Sequence, residues 1–397
     1  MRCLSTPLLV ATASALLLVI VSCKKERPLV RQNSKFALSL YKYMSEGHKN
    51  FVFSPFSISS CMGMVYGAAT GSSARELAAV MKFKRLERSL HRRFRRLFRQ
   101  FAGGNYTMAL ANRIFVNRPV PVLPKFKRLA RFYYGASVKR LDFTRRPLQS
   151  VQYINNWVER RTHKKITGLL STADIKSNTN FVIVNALFFR GFWRFPFRKA
   201  TKATFHLSNS RTVSVDMMST PRNRFLRTES KKMRCTILEI PYVGGEVKMY
   251  ILLPNSANDL PWLENSLNYD TLQKAVGSMK AWTGSLRLPK FRVTSSYDLA
   301  SVLRTIGLKT SLQHGKVTLI SSSPSSGGLA DVNHKACIDV SEERTDASAA
   351  TAAVSYRSGF FSFGPTVVVD RPFLFIIKHH TGSILFVGRV LDPTARF

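Results

Sequence analysis

Residues 332–359 constrain the fold more than any other stretch of this chain. The first part, Val332-Asn333-His334-Lys335-Ala336-Cys337-Ile338-Asp339-Val340, alternates apolar and polar residues through Ala336, Ile338 and Val340, as a half-buried strand does. Ser341 and two acids, Glu342-Glu343, follow; then come Arg344 and a run of small side chains from Thr345 to Ser355. At the two-residue period of a strand, Thr345, Ala347, Ala349, Thr351, Ala353 and Ser355 share one face, all small and uncharged. The opposite face carries Asp346, Ser348, Ala350, Ala352, Val354 and Tyr356, which suits contact with water. Such a segment can stand as an exposed loop and can also fill a gap between two strands without burying a charge. Taken alone, the run also reads as an Ala-rich helix or a linker.

The flanking motifs decide between these readings. Asn333-His334-Lys335-Ala336, Glu342-Glu343, the small-residue run, Asp370-Arg371-Pro372-Phe373 and Gly382-Ser383-Ile384-Leu385-Phe386-Val387-Gly388-Arg389-Val390 together resemble the C-terminal region of the serpins. Farther upstream, Asn50-Phe51-Val52-Phe53-Ser54-Pro55-Phe56-Ser57-Ile58 is similar to the family's "shutter" segment. Asn185-Ala186-Leu187-Phe188-Phe189-Arg190-Gly191-Phe192-Trp193 resembles the strand leading to its "breach" tryptophan, and Leu288-Pro289-Lys290-Phe291 matches a further family segment. The resemblance implies an α+β, single-domain fold over residues 30–397, with eight or nine helices around three β-sheets and an exposed reactive-centre loop at about 342–365. It assigns Ser54, Ser57, Asn185, Trp193, Lys290 and His334 to the shutter and breach. Glu342, Glu343, Arg344, Thr345, Asp346, Ala347, Ser348, Ala349, Ala350 and Thr351 become the loop hinge.

The mechanism implied by the resemblance is suicide inhibition. A serine protease attacks the loop and forms an acyl-enzyme; the freed segment then enters the central sheet as a new strand, releasing stored strain and trapping the enzyme. Counting along the loop as the family does places the scissile bond at Ser358-Gly359, suited to an elastase-like enzyme. Arg357-Ser358 would suit a trypsin-like enzyme, and Tyr356-Arg357 a chymotrypsin-like one. One position departs from the pattern: inhibitory serpins usually have Gly after the two glutamates, and Arg344 stands there, with less backbone freedom. A non-inhibitory serpin that binds polyanions or carries cargo is therefore the alternative. The resemblance implies no metal and no cofactor, and a monomer.

Charge sets this chain apart. Its 397 residues hold 61 Lys and Arg against 22 Asp and Glu, a formal net charge of +39, which favours polyanionic partners. Arg2 precedes an apolar run over residues 8–21, followed by Ser22-Cys23 and Lys24-Lys25. The run falls short of the roughly 20 residues that span a bilayer, so residues 1–23 read as a cleaved signal peptide. Secretion makes heparin or another sulfated glycosaminoglycan the expected polyanion and nucleic acid an unexpected one; no membrane span is expected. Cys3 and Cys23 would leave with the leader, and the wide spacing of Cys61, Cys235 and Cys337 suits buried free thiols better than a disulfide framework. Asn105-Tyr106-Thr107 is a glycosylation sequon.

Residues 85–101 carry the most concentrated positive charge. On a helical wheel, Leu86, Leu90, Phe94, Leu97, Phe98 and Phe101 fall within one third of the circumference, and Arg85, Arg88, Arg92, Arg95, Arg96 and Arg99 fall on the side away from it, with Glu87 the sole acid. The resemblance equates this segment with the helix that glycosaminoglycan-activated serpins use to bind heparin. A rigid row of guanidinium groups meets successive sulfates in charge-assisted contacts. Lys125, Lys127, Arg128 and Arg131 are candidates to extend the patch.

Elsewhere, residues 31–47 and 150–170 show helical spacing, with Ile154, Trp157, Val158 and Ile166 inward in the second and Arg160, Arg161, Lys164 and Lys165 outward. Ser54-Pro55 starts another helix, with Ser57 expected to cap it. Strands are expected at 181–189, 204–207, 236–242, 247–253, 366–369, 373–378 and 384–390, and a helix near 297–306. Residues 321–328 form a Ser/Gly/Pro loop. There is no G-x-S-x-G elbow, H-E-x-x-H, phosphate-binding loop or C-x-x-C pair, so enzyme chemistry is not expected. His334 reads as a structural hydrogen-bonding group, and His379-His380 as surface residues at a turn.

Overall fold

A computed structural model describes residues 27–45, 47, 49–175, 179–309, 331–342 and 364–395. The expected leader at 1–23, the expected loop at 321–328, and the expected hinge and reactive bond from Glu343 to Gly359 lie outside the described residues. Among the described residues there are nine α-helices: α1 (Pro28–Met44), α2 (Pro55–Tyr66), α3 (Gly71–Val80), α4 (Leu90–Gln100), α5 (Pro124–Tyr134), α6 (Pro147–Arg161), α7 (Leu260–Ser266), α8 (Tyr269–Gly277) and α9 (Leu299–Thr305). The strands are β1 (Phe51–Phe53), β2 (Tyr106–Asn117), β3 (Ser137–Leu141), β4 (Phe181–Gly191), β5 (Arg198–His206), β6 (Thr212–Ser219), β7 (Asn223–Ser230), β8 (Cys235–Pro241), β9 (Val247–Pro254), β10 (Lys280–Pro289), β11 (Phe291–Asp298), β12 (Asp331–Val340), β13 (Thr366–Val368), β14 (Phe373–His379) and β15 (Ile384–Val390).

The central sheet has the order β11-β12-β4-β2-β3. A longer path, β1-β15-β14-β9-β8-β7-β10-β6-β5, is two sheets that share β10. Lys280 to Gly284 pair with β7, whereas Arg287 to Pro289 pair with β6 and Ser285 to Arg287 run beside β13. The expected three-sheet α+β arrangement is thus present, with one strand serving two sheets.

Why the chain takes this form is clearest around the central sheet. β4 is buried on both faces from Phe181 to Phe189, because α6 covers one side and the main core the other. Val151, Ile154, Trp157 and Val158 of α6 pack with Phe115, Val182, Val184 and Phe188. On the opposite side Phe56 of α2 meets Phe94, Phe98 and Phe101 around α4, with ring centroids 4.8–6.3 Å apart. Each such ring contributes about 2–3 kcal/mol on leaving water. Gly63 in α2 permits the contact, since a Cβ there would lie 2.7 Å from the Phe94 ring.

Several local expectations need correction. Ser54, not Ser57, caps α2: its hydroxyl accepts from the Ser57 backbone N–H at 3.2 Å. The helix expected over 85–101 begins only at Leu90, because Lys82 and Arg85 take left-handed backbone conformations and Phe83 and Leu86 are buried through turns. Arg85 and Arg88 therefore sit on those turns rather than on the helix. The helix over 150–170 is α6; it stops at Arg161, and His163 and Lys164 are left-handed, so Lys164 and Lys165 follow it in a turn. His379 is not at the surface: it is 2% exposed, its ring set edge-on against Phe101, whereas His380 is exposed. Burial, then the neighbouring His380, lowers its pKa to about 4. Cys61, Cys235 and Cys337 are buried free thiols, and no helix among the described residues is long and apolar enough to cross a membrane.

Candidate functional site

The site grows from the junction of β12 and β4, the parallel pair at the middle of the central sheet. Eight residues are in register, from Asp331 opposite Val182 to Ile338 opposite Phe189. Parallel pairing is slightly weaker per residue than antiparallel pairing. At its lower part the junction is held by a buried polar chain. His334 on β12 faces Asn185 on β4, and its Nδ1 lies 2.6 Å from the Asn185 Oδ1. The Ser54 backbone N–H donates to His334 Nε2 at 3.0 Å, so the ring proton resides on Nδ1 and is donated to Asn185. Asn185 Nδ2 in turn donates to the Ser57 carbonyl and to Asn112 Oδ1. Full burial lowers the His334 pKa to about 3; the bond to Asn185 opposes this only in part. Ser54, Ser57, Asn185 and His334 are thus brought together. Asn112, on β2, completes the chain, and no motif in the sequence marks it.

Where β12 and β4 part, a small cavity of about 50 Å³ opens, lined in part by Phe188, Arg190, Trp193, Tyr242, Asp339 and Ser341. Trp193 lies flat on Tyr242, with centroids 4.4 Å apart, and its indole N–H donates to the Ser341 carbonyl at 3.1 Å. Gly191 permits this stack, because a Cβ there would meet the Tyr242 ring at 2.5 Å. One residue on, Glu342 accepts from Lys290 Nζ at 2.8 Å and from the Ala200 backbone N–H at 2.9 Å. Burial works against its charge, yet the hydrogen bond from Lys290 and those from backbone N–H groups hold its carboxyl below the usual range. The hydrogen bond to Glu342 raises the Lys290 pKa in turn, despite a desolvation cost. Trp193, Lys290 and Glu342 therefore form one cluster at the point where β12 leaves the sheet. Tyr242 and Ala200 belong to it without any motif to announce them.

The chain returns at Gly364 and enters β13, which runs parallel to β10. Pro365 crosses so close to Gly284 that a Cβ there would sit 2.3 Å from the Pro365 carbonyl oxygen. Residues 343–363 thus connect the end of the central sheet to the edge of another.

A second face lies across α4 and α5. Arg92, Arg96 and Arg99 are exposed on α4, together with Arg85 and Arg88 on the preceding turns. Arg95 differs, for its guanidinium lies 3.7 Å over the Phe132 ring on α5. Lys125, Lys127, Arg128 and Arg131 are exposed on α5, and neither helix contains an acid. Asn105 and Thr107 are exposed beside the start of β2, so the sequon is accessible. No group of three potential metal ligands occurs among the described residues.

A family model described as serpin (serine protease inhibitor) matches residues 31–393. The chain belongs to the serpins. It is 34% identical over 375 residues to serpin B6 of Pongo abelii, covering 92% of this chain and 99% of that protein. It is 35% identical over 384 residues to leukocyte elastase inhibitor A of Rattus norvegicus, covering 91% of this serpin and 98% of the relative. Among solved structures, uncleaved ovalbumin superposes with a TM-score of 0.81 at 26% identity, over 92% of this chain and 100% of its own. The serpin fold is therefore common to this chain and to ovalbumin, and one of the similar proteins carries the name of an elastase inhibitor.

Proposed function

We propose that this serpin is a secreted suicide-substrate inhibitor of serine proteases. The observation that carries the reading is the β12–β4 junction: a parallel pair leads directly into a segment whose alternate side chains are all small. A strand that turns back at the hinge runs antiparallel to both β12 and β4. It would replace one parallel ladder with two antiparallel ones, a gain in hydrogen bonds of about 1 kcal/mol each. Entry begins at the Trp193–Ser341 and Glu342–Lys290 contacts, which are few and partly solvated.

In the inhibitory cycle the protease serine attacks the Ser358 carbonyl carbon. The bond from Ser358 to the Gly359 nitrogen breaks, that nitrogen leaves as the new amino terminus, and an ester joins Ser358 to the enzyme. Insertion of the segment from Thr345 onward then carries the ester-linked protease away from its starting position before water can hydrolyse it. Arg357 as the attacked residue remains the second choice, suited to a trypsin-like enzyme. The reading of residues 1–23 as a leader, the exposed Asn105 sequon, and a basic face whose two helices contain no acid support secretion and the binding of heparin or a similar sulfated polyanion. Arg344 at the hinge favours one competing reading, a non-inhibitory serpin that binds polyanions or carries cargo.

Mixing the protein with elastase, trypsin, chymotrypsin and cathepsin G tests the proposal. An SDS-stable complex and a released peptide beginning at Gly359 are expected with an elastase-like enzyme. Loop cutting by every protease, with no complex, would establish the competing reading instead.

A further inference from the structure

Between α4 and α5 lies an open groove of about 710 Å³, within the range of small-molecule sites. Its floor is apolar: Leu129, Phe132 and Tyr133. Phe132 is 54% exposed and joins the half-buried Leu129 and Tyr133 in one apolar patch rather than standing alone. The floor is fixed in place, because Leu129 packs where a Cβ on Gly67 would meet it at 2.6 Å, and Phe132 and Tyr133 pack edge to face at 4.9 Å. Four cations surround it: Arg95, Lys125, Arg128 and Arg131. None of the four is paired with a carboxylate among the described residues.

A sulfated sugar chain satisfies the exposed arginines of α4 but has no apolar body to cover Leu129 and Phe132. A neutral apolar molecule covers the floor but leaves the ring of charge unanswered. We propose that this groove binds a small amphiphilic anion, of fatty-acid size, whose apolar body lies on Leu129, Phe132 and Tyr133 and whose carboxylate or sulfate meets Arg128 and Arg131. Arg95, held on the Phe132 ring by a cation–π contact, closes one wall. The site is separate from the row of Arg92, Arg96 and Arg99 and stands whether or not that row binds heparin.

The test uses 11-(dansylamino)undecanoic acid below its aggregation concentration, with the intact protein and fluorescence as the readout. Saturable binding is expected, with affinity about tenfold weaker for the methyl ester of the probe, for Phe132→Ser and for Arg128→Gln/Arg131→Gln. The control Arg92→Gln/Arg96→Gln/Arg99→Gln should lower heparin-column retention and leave probe affinity within about threefold. Equal binding of acid and ester overturns the proposal, as does unchanged affinity in both groove variants. Binding to phosphatidylserine vesicles without binding of the monomeric acid overturns it in favour of a membrane surface.

Discussion

Acidification should loosen the central sheet through a single imidazole, and the size of the effect follows from the His334 environment. The ring is fully buried, donates from Nδ1 to Asn185 and accepts at Nε2 from Ser54, with Tyr297 stacked alongside and no acid in contact among the described residues. A second proton at Nε2 breaks the Ser54 bond and places an uncompensated charge in the core, which is why the folded pKa falls to about 3 from the ordinary 6.5. Because the folded value is depressed, the unfolded chain takes up the proton first as pH drops. The stability in question is present above about pH 6.5 and is lost progressively toward about pH 3. One proton costs about 1.4 kcal/mol per pH unit, so lowering the pH from 7.5 to 4.5 removes about 2.5 kcal/mol. The assay is urea unfolding of the wild type and His334→Gln at both pH values, since all other titrations, His379 included, are common to the pair. The variant is expected to be less stable at pH 7.5 and to lose about 2.5 kcal/mol less on acidification. Parallel losses in the two proteins would refute the assignment.

Two further outcomes are expected. Replacing Arg92, Arg96 and Arg99 with Gln should weaken heparin binding about thirtyfold, from three exposed contacts at about 0.7 kcal/mol each; unchanged elution salt on a heparin column would show that the row is only solvated surface. Arg344→Gly should leave or raise the number of protease molecules trapped per inhibitor consumed, because a glycine hinge turns more freely; a fall would show that the arginine assists insertion.

The parts of the site legible in the sequence are those set by short-range pattern. Alternation announced β12, the apolar run announced β4, and Ser54-Pro55 marked the start of α2. Contacts between distant segments left no such trace. Asn112, Tyr242 and Ala200 each complete a polar or aromatic cluster only because β2, β8 with its following turn, and β5 arrive beside it. The helical wheel over 85–101 grouped six arginines correctly by polarity but cannot register a left-handed residue, and Arg85 is one. His379 was misplaced for a similar reason: the turn at Thr381-Gly382 is at the surface, yet Phe101 from another segment covers the ring beside it.

Cleaving the loop and remeasuring thermal unfolding tests the central claim most directly. If residues from Thr345 onward enter between β12 and β4, the nicked protein should melt well above the intact one. A chain of this length shifts by about 1–2 °C per kcal/mol, so about ten added ladder hydrogen bonds at about 1 kcal/mol each raise the midpoint by at least about 10 °C. An unchanged or lower melting temperature after complete cleavage would contradict it.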